Sequence, residues 1–323
     1  MKILFIGMGS IGGRHYNCLR KYKQKYSLEF ISYKTNLNKA NKQYAEDIKY
    51  FYCLEDALLE KPNCAIISNP TSYHVETAIK CAEKGIHLFI EKPLSNTLEN
   101  IDKLINLVKD KKLITLMGCN LRYHDALIDL RNLIQTNKLG RVYDFDISVG
   151  SYLPDWRPWQ DYTQSYSAKE ELGGGVVLDL IHEIDYAYWL FGEFTKSKSF
   201  VGKISDLKIN TEDIAKIILQ TANQCMGTIS LNYYRRIPER KIAANFEYGS
   251  ILLDLIKSQF TIYYADDHCE VKNYQIDRNH MYERQMKYFI ESVIHKKETQ
   301  NNILEGLKVL EYALNIKQGK DII

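Results

Sequence analysis

The chain has 323 residues, enough for about two domains at roughly 150 residues apiece. Forty-three lysines and arginines stand against 40 aspartates and glutamates, and the resulting charge of +3 is spread along the chain, which excludes a nucleic-acid footprint. Hydrophobic residues at 45% and charged residues at 26% are ordinary globular usage and exclude disordered, collagen-like and low-complexity classes.

The first apolar run, Ile3 to Ile6, is too short for a signal peptide, and no later run approaches the roughly 18 apolar residues of a membrane span. The seven cysteines form no CxxC and no zinc-like spacing. No metal is therefore expected, and the cysteines read as thiols in a reducing cytoplasm. With 24 tyrosines in the chain, a single aromatic carries little functional weight.

From Lys2 to Lys112, short apolar runs alternate with amphipathic stretches, the pattern of strand-helix-strand units in a parallel sheet. The expected strands are Ile3 to Ile6, Leu28 to Tyr33, Ala65 to Ser68, His87 to Ile90 and Ile114 to Gly118. Between them, Val75, Ala78, Ile79 and Ala82, and then Ile101, Leu104, Ile105 and Val108, recur at helical spacing. Beyond Leu121 the strand-like segments Val142 to Val149, Ile214 to Leu219, Met226 to Leu231, Lys241 to Phe246 and Ser250 to Leu255 follow one another with few helices. These predict a mainly antiparallel sheet, interrupted by a helix over Asp179 to Phe191 and followed by a helical tail from Tyr282 to Ile316. The fold expected is α/β, with a doubly wound parallel domain over 1–120 and an α+β domain over 121–323.

Gly7-Met8-Gly9-Ser10-Ile11-Gly12 is a GxGxxG directly after a strand and opening a helix. Its first glycine permits a tight turn, the second lets backbone approach a pyrophosphate, and the third allows close helix-to-strand packing. A purely structural turn is the alternative. The acid that holds an NAD ribose at the end of the second strand is missing, and Ser32-Tyr33-Lys34-Thr35-Asn36 stands there instead. Lys34 could pair with a 2′-phosphate, which favours NADP over NAD, or be a solvated lysine. Asn69, Pro70 and His74 follow the third strand and Glu91-Lys92-Pro93 follows the fourth, at strand carboxyl ends where open sheets bind ligands. Taken alone, the Glu-Lys-Pro tripeptide is more often a surface turn, and its place in this order of elements is what raises it.

The glycine triplet Gly173 to Gly175 leads into the isolated helix. Leu180, Ile184 and Phe191 form its expected buried stripe, with Asp179, His182, Asp185 and Trp189 on a neighbouring face. An aspartate three residues before a histidine can reach it, and a histidine can take the proton of an alcohol as hydride leaves the same carbon. An ordinary solvated helix face is the other reading. Three consecutive glycines imply that backbone approaches something closely.

Together with Asn120-x-Arg122, these motifs resemble the glucose-fructose oxidoreductase / inositol dehydrogenase / MocA family of nicotinamide-dependent sugar oxidoreductases, over nearly the whole chain. The resemblance implies a Rossmann domain followed by an open sheet whose exposed face makes a dimer or tetramer. It implies NAD(P) held by Gly7, Gly9, Ser10, Ile11, Gly12, Lys34, Asn69, Pro70, His74, Glu91, Lys92 and Asn120. It further implies Lys92, His182 and Asp179 as catalytic residues that also touch substrate, and Arg122 as a substrate residue. The family's aspartate commonly lies four positions before the histidine, whereas Asp179 lies three before His182.

The segment Tyr152 to Tyr162 resembles a subgroup associated with surface-polysaccharide and nonulosonic-acid pathways. Trp156 and Trp159 could stack on a sugar or base, and Arg157 could hold a carboxylate or phosphate; an interface loop fits as well. Arg235, Arg236 and Arg240 raise the same possibility. The activity expected is hydride transfer between nicotinamide and a secondary alcohol or ketone of a small-molecule sugar, free or nucleotide-linked. The rivals are a non-catalytic dinucleotide sensor and a reductase of a non-sugar substrate.

Overall fold

The computed structural model describes residues 1–34, 48–275 and 277–320. In chain order its first part runs β1 (Lys2–Ile6), α1 (Ser10–Arg20), β2 (Glu29–Tyr33), β3 (Ile48–Phe51), α2 (Leu54–Leu59) and β4 (Cys64–Ile67). It continues with α3 (His74–Glu83), β5 (His87–Ile90), α4 (Ile101–Asp110) and β6 (Thr115–Met117). The six strands pair in parallel in the order β3-β2-β1-β4-β5-β6, the doubly wound arrangement whose direction reverses between β1 and β4. Strand β4 and nearly all of β1 and β5 are buried, which is why they read as unbroken apolar runs. The carboxyl ends of β1 and β4 carry the Gly7 turn and Ser68-Asn69. Strand β3 was not among the expected strands; it has four residues, lies at the sheet edge and buries only Ile48.

Two compact units make up the chain. The first comprises Met1–Asn120 with Arg278–Lys308, and the second Leu121–Asp277 with residues from Val309 onward. The expected division into 1–120 and 121–323 is thereby corrected. Helix α8 (Arg278–His295) belongs to the first unit because Met286, Phe289, Ile290 and Val293 complete its core with Ile3, Phe5, Phe30, Ile66 and Phe89. The Gln285 amide donates to the Met117 carbonyl at 3.0 Å, and Ile303 N–H donates to Thr115 Oγ1 at 3.0 Å, so the returning chain covers the β6 edge.

The second unit contains α5 (Asp125–Gln135), β7 (Val142–Gly150), α6 (Val176–Asp179) and α7 (Ile181–Phe191). Strands β8 (Phe194–Gly202), β9 (Ile214–Thr221), β10 (Met226–Asn232), β11 (Glu239–Phe246), β12 (Gly249–Asp254), β13 (Gln259–Tyr264) and β14 (Cys269–Asn273) follow, and α9 (Ile303–Lys317) ends in this unit. The sheet order is β14-β13-β12-β11-β7-β10-β9-β8, antiparallel throughout except for β7 beside β10. One face buries Phe145, Ile147, Ile217, Ile229 and Ile242. Phe191 of α7 stacks on Phe145 at 3.9 Å and 7°, fixing the helix to that face. The other face mixes polar and apolar side chains: Lys198, Ile218, Thr228, Asp146, Ala243 and Leu252 align across it in register. Among the described residues no helix is long and apolar enough to cross a membrane.

Candidate active site

In the first unit, the turn after β1 can be made only by glycine. Gly7 has φ +93°, and a Cβ there would lie 2.5 Å from the Asn69 nitrogen; one at Gly12 would lie 1.9 Å from the Gly7 carbonyl oxygen. A Cβ at Gly9 meets nothing within 4 Å. Gly9 caps α1 without a side-chain hydrogen bond, and the first turn, beginning Ser10-Ile11, carries no acid. An open approach to the uncapped amides of an 11-residue helix suits a pyrophosphate, so the residues present fit a dinucleotide.

Lys34 follows β2, its amide donating to the Phe51 carbonyl at 2.9 Å and its ammonium standing 5.2 Å from the Tyr50 ring centre. Desolvation pushes its pKa down. Thr35 and Asn36 lie outside the described residues.

His74 is buried, with Nδ1 2.9 Å from the Pro93 carbonyl oxygen and Nε2 2.9 Å from that of Asn69. It therefore braces the turns after β4 and β5 from behind. Burial lowers its pKa while the two carbonyls oppose that shift. The Asn69 side chain donates to Thr77 Oγ1 at 3.0 Å, and Pro70 opens the short 3₁₀ turn before α3. Glu91 is buried too. One carboxylate oxygen lies 2.5 Å from His15 Nε2 on α1, and the other accepts the Lys92 N–H at 3.2 Å. This carboxylate ties the cofactor helix to the backbone of Lys92, which is half-buried and joined to Pro93 by a cis peptide bond. Asn120 is buried at the end of the unit's first segment, its amide 3.9 Å from Met281 Sδ. His15 had escaped sequence reasoning; its place three residues after Gly12, on the helix the motif opens, was the available signal.

In the second unit, the single helix expected from Asp179 onward is two. Leu180, at φ −95° and ψ 32°, leaves the α-helical region, so Asp179 ends α6 and His182 stands in the first turn of α7. Spacing along one helix therefore does not describe this pair. Leu180, Ile184 and Phe191 are buried as expected. The glycine triplet does allow a close approach, but to protein: a Cβ at Gly174 would lie 2.3 Å from the Tyr166 carbonyl oxygen, and one at Gly175 2.3 Å from Glu212 Oε1. That Glu212 oxygen accepts the Val177 N–H at 3.2 Å, and the Glu212 carbonyl accepts that of Val176 at 3.1 Å, capping α6.

Asp179 is 5% exposed and accepts hydrogen bonds from two phenols, Tyr166 OH and Tyr233 OH, the latter at 2.7 Å. Burial, and then the Asp179 charge, push both phenols well above their ordinary range, so each remains a protonated donor. Trp156 meets Tyr233 edge-on at 5.4 Å, and the Arg157 guanidinium stands 5.8 Å from the Tyr166 ring centre. Asp179, Trp156 and Arg157 thus meet through two tyrosines that sequence reasoning did not identify. His182 is half-buried beside this cluster in sequence.

Arg122 and Asp185 are buried and form a two-pronged pair, Nε to Oδ2 at 2.9 Å and Nη2 to Oδ1 at 2.7 Å. The fork expected to reach substrate lies on Asp185, and Asp185 is correspondingly engaged with Arg122. Arg240 Nε is 2.8 Å from the fully buried Glu183, whose pKa is raised by desolvation against the pull of Arg240. Arg235 pairs with Glu239 at 2.9 Å, and Arg236 lies 3.6 Å from the Tyr152 ring centre. Trp159 is exposed.

A doubly wound sheet with a glycine turn shaped for a pyrophosphate, followed by a second unit presenting histidine and carboxylate, defines a dinucleotide-dependent oxidoreductase. The family model described as "Oxidoreductase family, NAD-binding Rossmann fold" matches residues 1–119, and "GFO/IDH/MocA C-terminal domain" matches 127–252; the chain belongs to this family. It is 25% identical over 334 residues to myo-inositol 2-dehydrogenase of Thermotoga maritima, covering 99% of this chain and 89% of that protein. It is 32% identical over 143 residues to levoglucosan dehydrogenase of Pseudarthrobacter phenanthrenivorans, a match spanning 43% of this chain and only 36% of that protein. A solved levoglucosan dehydrogenase in complex with NADH superposes with a TM-score of 0.89 at 17% identity, over 100% of this chain and 99% of that one.

Proposed function

We propose that this protein is an NAD(P)-dependent sugar dehydrogenase that interconverts a secondary alcohol and the corresponding ketone. The bound nicotinamide supplies the hydride acceptor or donor. His182 takes the hydroxyl proton as the carbon loses hydride and returns it in reduction. Lys92 supplies a cation that stabilises developing alkoxide charge. Asp179, held by Tyr166 and Tyr233, orients the histidine. The observation that carries this reading is the buried Asp179 carboxylate fixed by two phenols just before His182, in a chain whose N-terminal unit is built for a dinucleotide. His182→Ala should lower turnover by about 10² to 10⁴-fold with cofactor affinity little changed. Full-rate turnover by that variant would remove the assignment.

NADP is the preferred cofactor in this proposal, supported by Lys34 and by the absence of an acid at the end of β2. Trp156 and Arg157 contact the sugar, while Arg122 supports the site through Asp185. The chain works in the cytoplasm and assembles as a dimer or tetramer through the outer sheet face, where Phe200, Ile218 and Leu252 are exposed.

A further inference from the structure

Trp156 and Arg157 are consecutive, and each stands against one of the two tyrosines that hold Asp179. Both are half-buried, but their polar groups are used differently. The indole N–H of Trp156 donates to Ser151 Oγ at 2.7 Å. Arg157, in contrast, has no carboxylate within ion-pair distance among the described residues. Arg122, Arg235 and Arg240 of the same unit are paired with Asp185, Glu239 and Glu183. A guanidinium 5.8 Å from a ring centre, as Arg157 is from that of Tyr166, meets the ring through its charge and does not spend its N–H donors on that contact. Those donors match two oxygens of a carboxylate or phosphate. The carboxylate of the cluster, Asp179, is buried and receives both phenolic hydrogens.

We infer that the substrate of this site carries an oxyanion, a carboxylate or a phosphate, and that Arg157 is the residue that selects for it. The inference rests on the sugar-oxidoreductase reading above and narrows its substrate class to anionic sugars. If Arg157 only balanced Asp179 through Tyr166, its loss would weaken every substrate alike. Selection for an anion instead makes the loss depend on the charge of the substrate.

The test compares the protein with Arg157→Gln and the conservative Arg157→Lys. Glucuronate, glucose 1-phosphate and a uridine-diphosphate sugar serve as anionic probes, with myo-inositol and levoglucosan as neutral ones. Affinity is read by calorimetry with cofactor bound, and kcat/KM by nicotinamide absorbance. The protein should prefer at least one anionic probe over the neutral ones, and Arg157→Gln should reduce that ratio by about 10- to 100-fold, with Arg157→Lys recovering part of it. Whether glucuronate or the phosphorylated probes show the effect identifies the source of the charge. Equal losses for neutral and anionic probes, or no preference for any anionic probe before substitution, would overturn the inference. Charge-selective binding through Arg157 without turnover of any probe would leave it standing and count against the dehydrogenase reading.

Discussion

Asp179 is held by donors that cannot easily lose their protons, since both phenols are buried and face its charge. Removing either hydroxyl frees the carboxylate to turn, so Tyr166→Phe and Tyr233→Phe should each lower kcat by about tenfold, the worth of one hydrogen bond to a charged group. The cofactor KM should stay unchanged. In an Asp179→Asn background neither change should have a further effect, because residues acting through one group are not additive. Independent losses there would place the tyrosines elsewhere in the mechanism. For Lys34→Ala, the account expects KM for NADP to rise by about tenfold while KM for NAD holds, consistent with one lost phosphate contact; parallel changes would contradict the NADP preference. Residues such as Gly7 and Gly12 were legible in the sequence because a backbone requirement leaves one residue type and fixed spacing. Tyr166 and Tyr233 were not: their bonds to Asp179 span 13 and 54 residues, and nothing local separates them from the other tyrosines.

Among the elements, α8 shows how far a sequence pattern reaches. Its helical periodicity is visible in the sequence, but the unit it completes is not, because that depends on the chain returning across more than 150 residues to pack on β1 and β5. Phe289→Ala should cost about 3–5 kcal/mol of stability, measured by denaturant unfolding, as for other large aromatics cut back in a packed core. A change within about 0.5 kcal/mol would mean that α8 is peripheral. Helix α7 and strand β11 are joined by Glu183 and Arg240, and desolvation raises the Glu183 pKa above its unfolded value of about 4.3. A carboxyl group raised on folding contributes stability that is present in full below the unfolded pKa and is lost as pH rises through the folded one. Glu183→Gln should therefore lessen the decline in stability as pH rises above that unfolded value, and an unchanged pH dependence would contradict it. Of the strands missed in the sequence, β14 has five residues and buries none fully, β3 is a four-residue edge, and β8 carries Lys196 and Lys198 on an exposed face, so these three present no apolar run; β13, missed too, does present one, burying Phe260 and Ile262.

For the whole molecule, the alternation of strand and helix announced the parallel unit, and the later run of strands announced the second sheet, because burial on two faces and on one leaves different periodicities. What the order of motifs could not convey was the division of labour within each. Glu91 serves as an internal tie between His15 and the Lys92 backbone, and Arg122 as the partner of Asp185. The proposed function assigns the dinucleotide and Lys92 to the first unit and His182 to the second. The most direct measurement follows nicotinamide absorbance when the purified protein, with oxidised or reduced cofactor, meets free, phosphorylated and nucleotide-linked sugars and their keto forms, with Lys92→Ala alongside. The expected result is a redox change with at least one sugar that is lost in Lys92→Ala although that variant still binds cofactor. Cofactor binding without turnover of any sugar, or turnover undiminished in the variant, would contradict it.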